Sequence, residues 1–399
     1  MINRSFSLLR VCHIWERFWP IEIGGLERYI LWLSNYLAKK KDIEFSLVTG
    51  RTKLLLVTKN IKKYEDAGFL KVYRLGPNPV DLLNGACMYT LGSTPKIVEK
   101  MKFASLYHEA AKWKVVQSAD IFHIHGIWSD LEYINLGIYL SRRFGKPLVV
   151  TLHGGYVGDP LHGGMPLESP AVKNILKNDA DAITTYSREV LGTLYKLGLE
   201  KKSYLITNFV DTPHFVNPDT VAPHDTTIIY VGRLEPVQTP ELVVKAFKQV
   251  NDQLPNSKLI IVGYGTLFEY LKTLVKELKL ENSVTLTGKQ TDVRKFLWSS
   301  DVFVATNFGY IASLEAMASG LVVVAPKFGI LKETITNEVD GLLVEPGNID
   351  ELVSALKRLI ADKELRKKLA ANGAETAKNY DIRAVAPKMS EIYQSVLEN

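Results

Sequence analysis

Short apolar, β-branched runs alternate along the chain with stretches whose apolar positions recur at helical spacing. In the first half the runs are Ser7 to Val11, Phe45 to Val48, Ile121 to Ile124, Leu148 to Leu152 and Ala182 to Thr185. The second half repeats the theme with Thr227 to Val231, Lys258 to Val262, Val284 to Leu286, Val302 to Ala305, Leu321 to Ala325 and Gly341 to Val344. Runs this short and this uniformly apolar suit strands buried on both faces, and the helical stretches between them supply the crossovers a parallel sheet requires. The pattern therefore predicts an α/β protein built of two Rossmann-like domains. Turn formers from Asn208 through Pro213, Pro218 and Pro223 interrupt it. The expected layout is an N-terminal domain over 1–205, a hinge over 206–225, a C-terminal domain over 226–380 and a last amphipathic helix over 381–399.

With 399 residues, 46% of them hydrophobic, the chain can fill two cores. No apolar run approaches the roughly 20 residues that span a bilayer. The first residues lack the apolar core and cleavage site of a secretory signal, so a cytoplasmic location is expected. Cys12 and Cys87 are too few for a disulfide framework or a cysteine-rich metal site. The net charge of +6 lies in the first 200 residues, which hold 26 Lys+Arg against 19 Asp+Glu, while the remainder holds 23 against 24. The densest stretch, Lys39 to Arg74, interleaves its cations with Leu54 to Val57. It fits an anionic membrane surface or an anionic acceptor, and it fits equally a solvated lysine-rich face. No nucleic-acid-binding module accompanies the charge, so nucleic acid is not an expected partner.

Four segments carry candidate chemistry. Gly24-Gly25 opens a helix soon after the first strand, where backbone N–H groups could face an anion; a plain tight turn is the alternative. His153 leaves the strand Leu148 to Leu152 at its carboxyl end, where open parallel sheets hold ligands, and a glycine-rich loop with Gly158, Gly163 and Gly164 follows. His123 and His125 share one face of the preceding strand. With no carboxylate or cysteine at ligand spacing, packing or acceptor contact is expected there rather than a metal. Arg233, directly after the strand Thr227 to Val231, offers a fork suited to phosphate oxygens. Nearby Val262-Gly-Tyr-Gly265 starts like a dinucleotide fingerprint, but Phe268 stands in place of the third glycine, which argues against a nicotinamide dehydrogenase. The most specific segment runs from Asn307 to Gly320. Glu315 lies there among small residues, and a polyol ligand would satisfy a carboxylate so placed. Asn307 reads either as the N-cap of that helix or as a site residue.

In order along the chain, Gly24-Gly-Leu-Glu-Arg28, Asp120-Ile-Phe-His-Ile-His-Gly126, His153-Gly154, Asn208-Phe-Val-Asp211, Tyr230-Val-Gly-Arg-Leu234, Glu315-Ala-Met-Ala-Ser-Gly320 and Asp340-Gly-Leu-Leu-Val344 resemble the retaining glycosyltransferases of family 4 over nearly the whole length. The resemblance implies the GT-B type fold, two Rossmann-like domains with a cleft between them and a C-terminal helix crossing back. It implies transfer of a hexose from a nucleotide-sugar donor to a lipid-linked or glycan acceptor, with retention and without metal or other cofactor. Arg233 would contact the donor diphosphate, Glu315 the ribose hydroxyls and His153 the donor sugar. Gly24, Gly25, Gln238, Asn307, Gly288, Gly309 and Lys327 complete the implied donor-binding set. Two positions depart from the family pattern: Gln238 stands where a lysine is usual, followed by Thr239 where glycine is common, and Asn307 stands where a glutamate is usual. The paired changes leave the formal charge of the site unaltered, and Lys327 is the candidate substitute cation. A non-catalytic relative that binds a sugar nucleotide or scaffolds an active enzyme is the rival reading. Asp179-Ala-Asp181 looks like a metal motif but sits where a helix hands over to a strand, and is read as a turn.

Overall fold

The structure, a computed structural model, describes residues 8–15, 25–40, 43–50, 62–76, 96–126, 132–153, 166–218, 226–307 and 309–398. Gly24, the run Leu54 to Val57, Cys87, Gly158, Gly163 and Gly164 lie outside them. The chain forms two compact units, one of Met1–Thr207 with Ala386–Asn399 and one of Asn208–Val385.

The first unit holds an eight-stranded sheet: β1 (Leu9–Ile14), β2 (Ile43–Gly50), β3 (Tyr64–Asp66), β4 (Leu70–Leu75), β5 (Ile121–His125), β6 (Leu148–Leu152), β7 (Ala182–Thr185) and β8 (Ser203–Leu205). Their order across the sheet is β3-β4-β2-β1-β5-β6-β7-β8, parallel except for the short antiparallel edge strand β3. β5, β6 and β7 are buried at every position, which is why apolar residues dominate β6 while β5 and β7 carry buried His and Thr side chains. Ser169 and Ser187 cap the helices Pro170–Asn178 and Arg188–Lys196 by accepting the N–H of Val172 and Val190. Asp179 ends the first of these helices and pairs with Arg142, while Asp181 accepts the Leu148 N–H at 2.7 Å. Both carboxylates are thus engaged by the scaffold. Cys12 packs in the core, its thiol pushed up to about 12 by burial.

The second unit holds six parallel strands: β9 (Thr227–Val231), β10 (Lys258–Val262), β11 (Val284–Leu286), β12 (Val302–Val304), β13 (Val322–Pro326) and β14 (Leu342–Val344), in the order β11-β10-β9-β12-β13-β14. Its core packs the central strands against the inner faces of the helices Pro240–Asn251, Phe268–Glu277 and Ile349–Ala361. The last helix, Ile382–Glu398, begins in this unit and ends in the first.

Strand β4 was not expected from the sequence. It lies in the stretch read as a basic face, and it corrects that reading for Arg74. The Arg74 side chain is fully buried, donating to the Lys62 carbonyl at 3.0 Å and to Glu65 Oε2 at 2.9 Å. Lys71 pairs with Glu44 and Lys63 with Glu109. Arg74 thus serves the sheet, while Lys63 stays exposed beside its partner.

Candidate active site

In the second sheet the chain winds one way from β9 through β10 to β11, and the other way from β12 through β13 to β14. Loops leaving the carboxyl ends of β9 and β12 therefore diverge, and ligands of open parallel sheets bind where they part. The β9 loop carries Gly232 and Arg233. Its backbone is fixed by the Gly232 N–H donating to the Val262 carbonyl at 3.1 Å and by the Tyr230 hydroxyl donating to the Arg233 carbonyl at 3.2 Å. Burial pushes the Tyr230 phenol up to about 12, so it keeps its proton and its donor role. A Cβ on Gly263 would collide with the Gly232 carbonyl, so glycine is what lets the β9 and β10 loops touch. Arg233 itself is exposed at this edge.

After the β9 loop, Pro236–Gln238 form a single 3-10 turn that feeds the helix Pro240–Asn251 through Thr239. Gln238 is 7% exposed. Thr239 sits in the left-handed region at φ 48°, ψ 45°, with its Oγ buried and without a hydrogen-bond partner. From the β12 loop, Asn307 Nδ2 donates to the Val237 carbonyl at 3.1 Å. The two positions that depart from the family pattern are thus brought to one corner. The N-cap reading of Asn307 is corrected: the helix Tyr310–Ala318 starts from Gly309, with no side-chain cap, and the Asn307 amide is spent on the neighbouring loop.

Glu315 lies in the second turn of the helix Tyr310–Ala318 and is completely buried. Gly288 follows β11 at φ +70°, its carbonyl accepting the Gly263 N–H at 3.1 Å. Lys327, exposed just after β13, lies 3.7 Å from Glu345, which follows β14. Arg233, Asn307, Gly288 and Lys327 all emerge at the carboxyl edge of one sheet. Gly25 starts the helix Gly25–Lys40 in the first unit.

His153 directly follows β6 at the carboxyl edge of the first sheet, 8% exposed. It stands in a cluster that the sequence reading only partly found. His123 and His125 share a face of β5 as expected, and His13 on β1 lies beside His123 in register. β1 runs on to Ile14 rather than stopping at Val11, and that extension brings His13 in. His125 Nδ1 lies 3.0 Å from His153 Nε2, and His125 Nε2 lies 2.9 Å from His13 Nδ1. His123 is engaged at both nitrogens, with the Tyr393 hydroxyl at 2.7 Å and Thr151 Oγ1 at 2.6 Å. Burial pushes His13 and His153 down to about 3 and holds His123 and His125 well below the usual imidazole range, so all four rings are neutral. Nitrogens of His13, His123 and His125 come within 4.8 Å of one another, the one grouping among the described residues that could approach a metal. Each of those rings already has short hydrogen-bond contacts.

Two Rossmann-like sheets, each with its switch point between diverging carboxyl-end loops, define the GT-B class of glycosyltransferases. The chain belongs to glycosyltransferase family 4. Residues 23–214 match the Glycosyltransferase Family 4 model, and residues 216–376 match Glycosyl transferases group 1. The N-acetyl-alpha-D-glucosaminyl L-malate synthase of Bacillus anthracis is 24% identical over 71% of this chain and 76% of its own length. The phosphatidyl-myo-inositol mannosyltransferase of Mycobacterium leprae is 25% identical over 75% of this chain and 80% of its own. Among solved structures, sucrose-phosphate synthase from Thermosynechococcus elongatus superimposes with a TM-score of 0.77 at 21% identity, covering 98% of this chain and 99% of that one. Anabaena HepE in complex with UDP-glucose gives 0.70 at 19% identity, covering 97% and 100%.

Proposed function

We propose that this glycosyltransferase moves a hexose from a nucleotide-sugar donor to a lipid-linked or polysaccharide acceptor, with retention at the anomeric carbon and without a metal. One observation carries the reading: the loops that diverge at the β9/β12 switch point present Arg233 and the Gln238–Asn307 corner at the edge where open parallel sheets take their ligands. The guanidinium of Arg233 suits a diphosphate. Glu315, buried one turn into the next helix, is the acceptor for ribose hydroxyls, and His153 is the contact for the sugar. The names of the relatives support the reading, since they include transfer to a phosphatidylinositol lipid, and a solved structure of the same fold holds UDP-glucose. An anionic membrane surface beside the acceptor is part of the proposal, carried by Lys39, Lys40 and Lys62, which are exposed.

The test is incubation with a panel of UDP-, GDP- and ADP-sugars, following release of the nucleoside diphosphate. Release from at least one donor is expected. Arg233→Ala and Glu315→Ala should each weaken binding of that nucleotide by about 1.5–3 kcal/mol, the range for hydrogen bonds to charged groups. Unchanged affinity in both variants, measured by calorimetry, would remove them from the site.

A further inference from the structure

Four buried groups of the first unit form one hydrogen-bonded row: Ser34, His13, His125 and His153. Ser34 Oγ is fully buried and lies 3.4 Å from His13 Nε2, its one hydrogen-bond partner among the described residues. The row continues from His13 Nδ1 to His125 Nε2 at 2.9 Å, and from His125 Nδ1 to His153 Nε2 at 3.0 Å. A neutral imidazole carries one proton, so each ring in the row donates on one side and accepts on the other. The proton placement of one member therefore dictates that of every other.

The sense of the row follows from its inner end. A buried hydroxyl that donates to nothing costs about 1–3 kcal/mol, and the Ser34 O–H has only His13 Nε2 to donate to. Nε2 of His13 is then an acceptor, so the His13 proton sits on Nδ1 and is donated to His125 Nε2. The His125 proton sits in turn on Nδ1 and is donated to His153 Nε2. The remaining proton of His153 lies on Nδ1, which has no partner among the described residues.

We propose that Ser34, His13 and His125 are positioning residues that fix His153 as the Nδ1–H tautomer, so that it meets the sugar of the donor as a hydrogen-bond donor and not as a base. This rests on the sugar-contact role proposed above for His153. The ligand atom it would take is an acceptor oxygen, a hydroxyl of the hexose or an oxygen of the phosphate leaving group. The ring of Tyr29 packs edge-on against both outer imidazoles, with centroids 5.1 Å from His153 and 6.0 Å from His125. The short N···N separations also favour a shared proton over a shared metal, because two nitrogens on one tetrahedral zinc at about 2.0–2.1 Å stand farther apart than 3.0 Å.

The experiment reads tautomers directly, by long-range 1H–15N correlation on protein carrying 15N-histidine, with the His153 signals assigned from their loss in His153→Gln. In the wild-type chain the His153 proton should be found on Nδ1; finding it on Nε2 overturns the proposal. Ser34→Ala removes the hydroxyl that orients the row and should leave His153 as a mixture of tautomers, while Ser34→Thr retains the donor and the wild-type spectrum. An unchanged spectrum in Ser34→Ala overturns the relay. With the donor identified by the panel, Ser34→Ala should lower transfer roughly tenfold and Ser34→Thr should restore it, the scale of one hydrogen bond. Undiminished transfer by a tautomer mixture overturns the link to catalysis. One zinc per purified chain, lost in His13→Phe, would likewise replace the relay with a metal site. The spectrum needs no turnover, so failure of the transferase reading shows in the donor panel and failure of the relay shows in the tautomer.

Discussion

Thr239 is the residue at which local strain and fold most plainly conflict. A β-branched side chain in the left-handed region is disfavoured by about 1–2 kcal/mol, and the buried Oγ adds an unmet hydrogen bond. Glycine would remove both terms, against an unfolded-state entropy cost of about 0.5–1 kcal/mol. The strain wins, so Thr239→Gly should stabilise the protein by about 1 kcal/mol, read as a higher urea midpoint at constant slope. A lower midpoint would mean that the hydroxyl has a partner after all. Asn307 is bound to the same corner. Its amide donates to the Val237 carbonyl, which a carboxylate cannot do, so Asn307→Glu should both destabilise by about 1–3 kcal/mol and weaken diphosphate binding. Adding Gln238→Lys should return most of the lost affinity. Additivity across that cycle of single and double variants would show that the two positions act independently.

At the scale of elements, the runs that betrayed themselves in the sequence are those buried on both faces, such as β6 and β13. β4 stayed hidden because Lys71, Tyr73 and Arg74 break its apolar run, yet it pairs with β2 over six residues. The end of β1 was missed for a related reason: His13 is polar, and nothing local announces that two imidazoles of β5 will flank it. The positions of Arg233 after β9 and of Glu315 within its helix could be read from motif and strand edge. The Asn307 contact to Val237 could not, since it joins loops 70 residues apart. For β4 the consequence is measurable. Truncating Arg74 strands the Lys62 carbonyl and unpairs Glu65, whose side chain is 29% exposed and can partly regain water. Arg74→Met should therefore cost about 2–3 kcal/mol, the scale of hydrogen bonds to a charged group and short of the about 3–5 kcal/mol for breaking a fully buried pair. A loss under about 0.5 kcal/mol in chemical denaturation would return Arg74 to the surface cations.

Over the whole molecule, the four buried histidines tie stability to pH, and all of them lie in the first unit. Unfolded, each imidazole titrates near 6.5; folded, His13 and His153 titrate near 3, and His123 and His125 well below their usual range. Because the folded value is the lower one, the unfolded chain binds more protons between about pH 6.5 and pH 3, and stability rises with pH across that window. The contribution is complete above 6.5 and is lost progressively as the solution is acidified. At pH 5.5, one unit below the unfolded value, each ring that stays neutral gives up about 1.4 kcal/mol, and four give up about 5–6 kcal/mol. That is comparable to the whole stability of many domains, about 5–15 kcal/mol, so it should dominate the acid limb of the stability curve. The groups packed around the rings, Tyr29, Phe45, Thr151 and Tyr393, are uncharged in this range and supply no opposing titration. His13→Phe provides the control, because the His13 ring already stacks on Phe45 at 5.2 Å and 7° and an apolar ring fits the same place. Urea denaturation from pH 7.5 to 5 should show the wild type losing stability steeply below 6.5. The variant should lose about 1.4 kcal/mol per pH unit less, one proton fewer taken up on unfolding. Identical slopes in the two proteins would mean that His13 is already charged in the folded state, and with it the neutral row from Ser34 to His153 would fall.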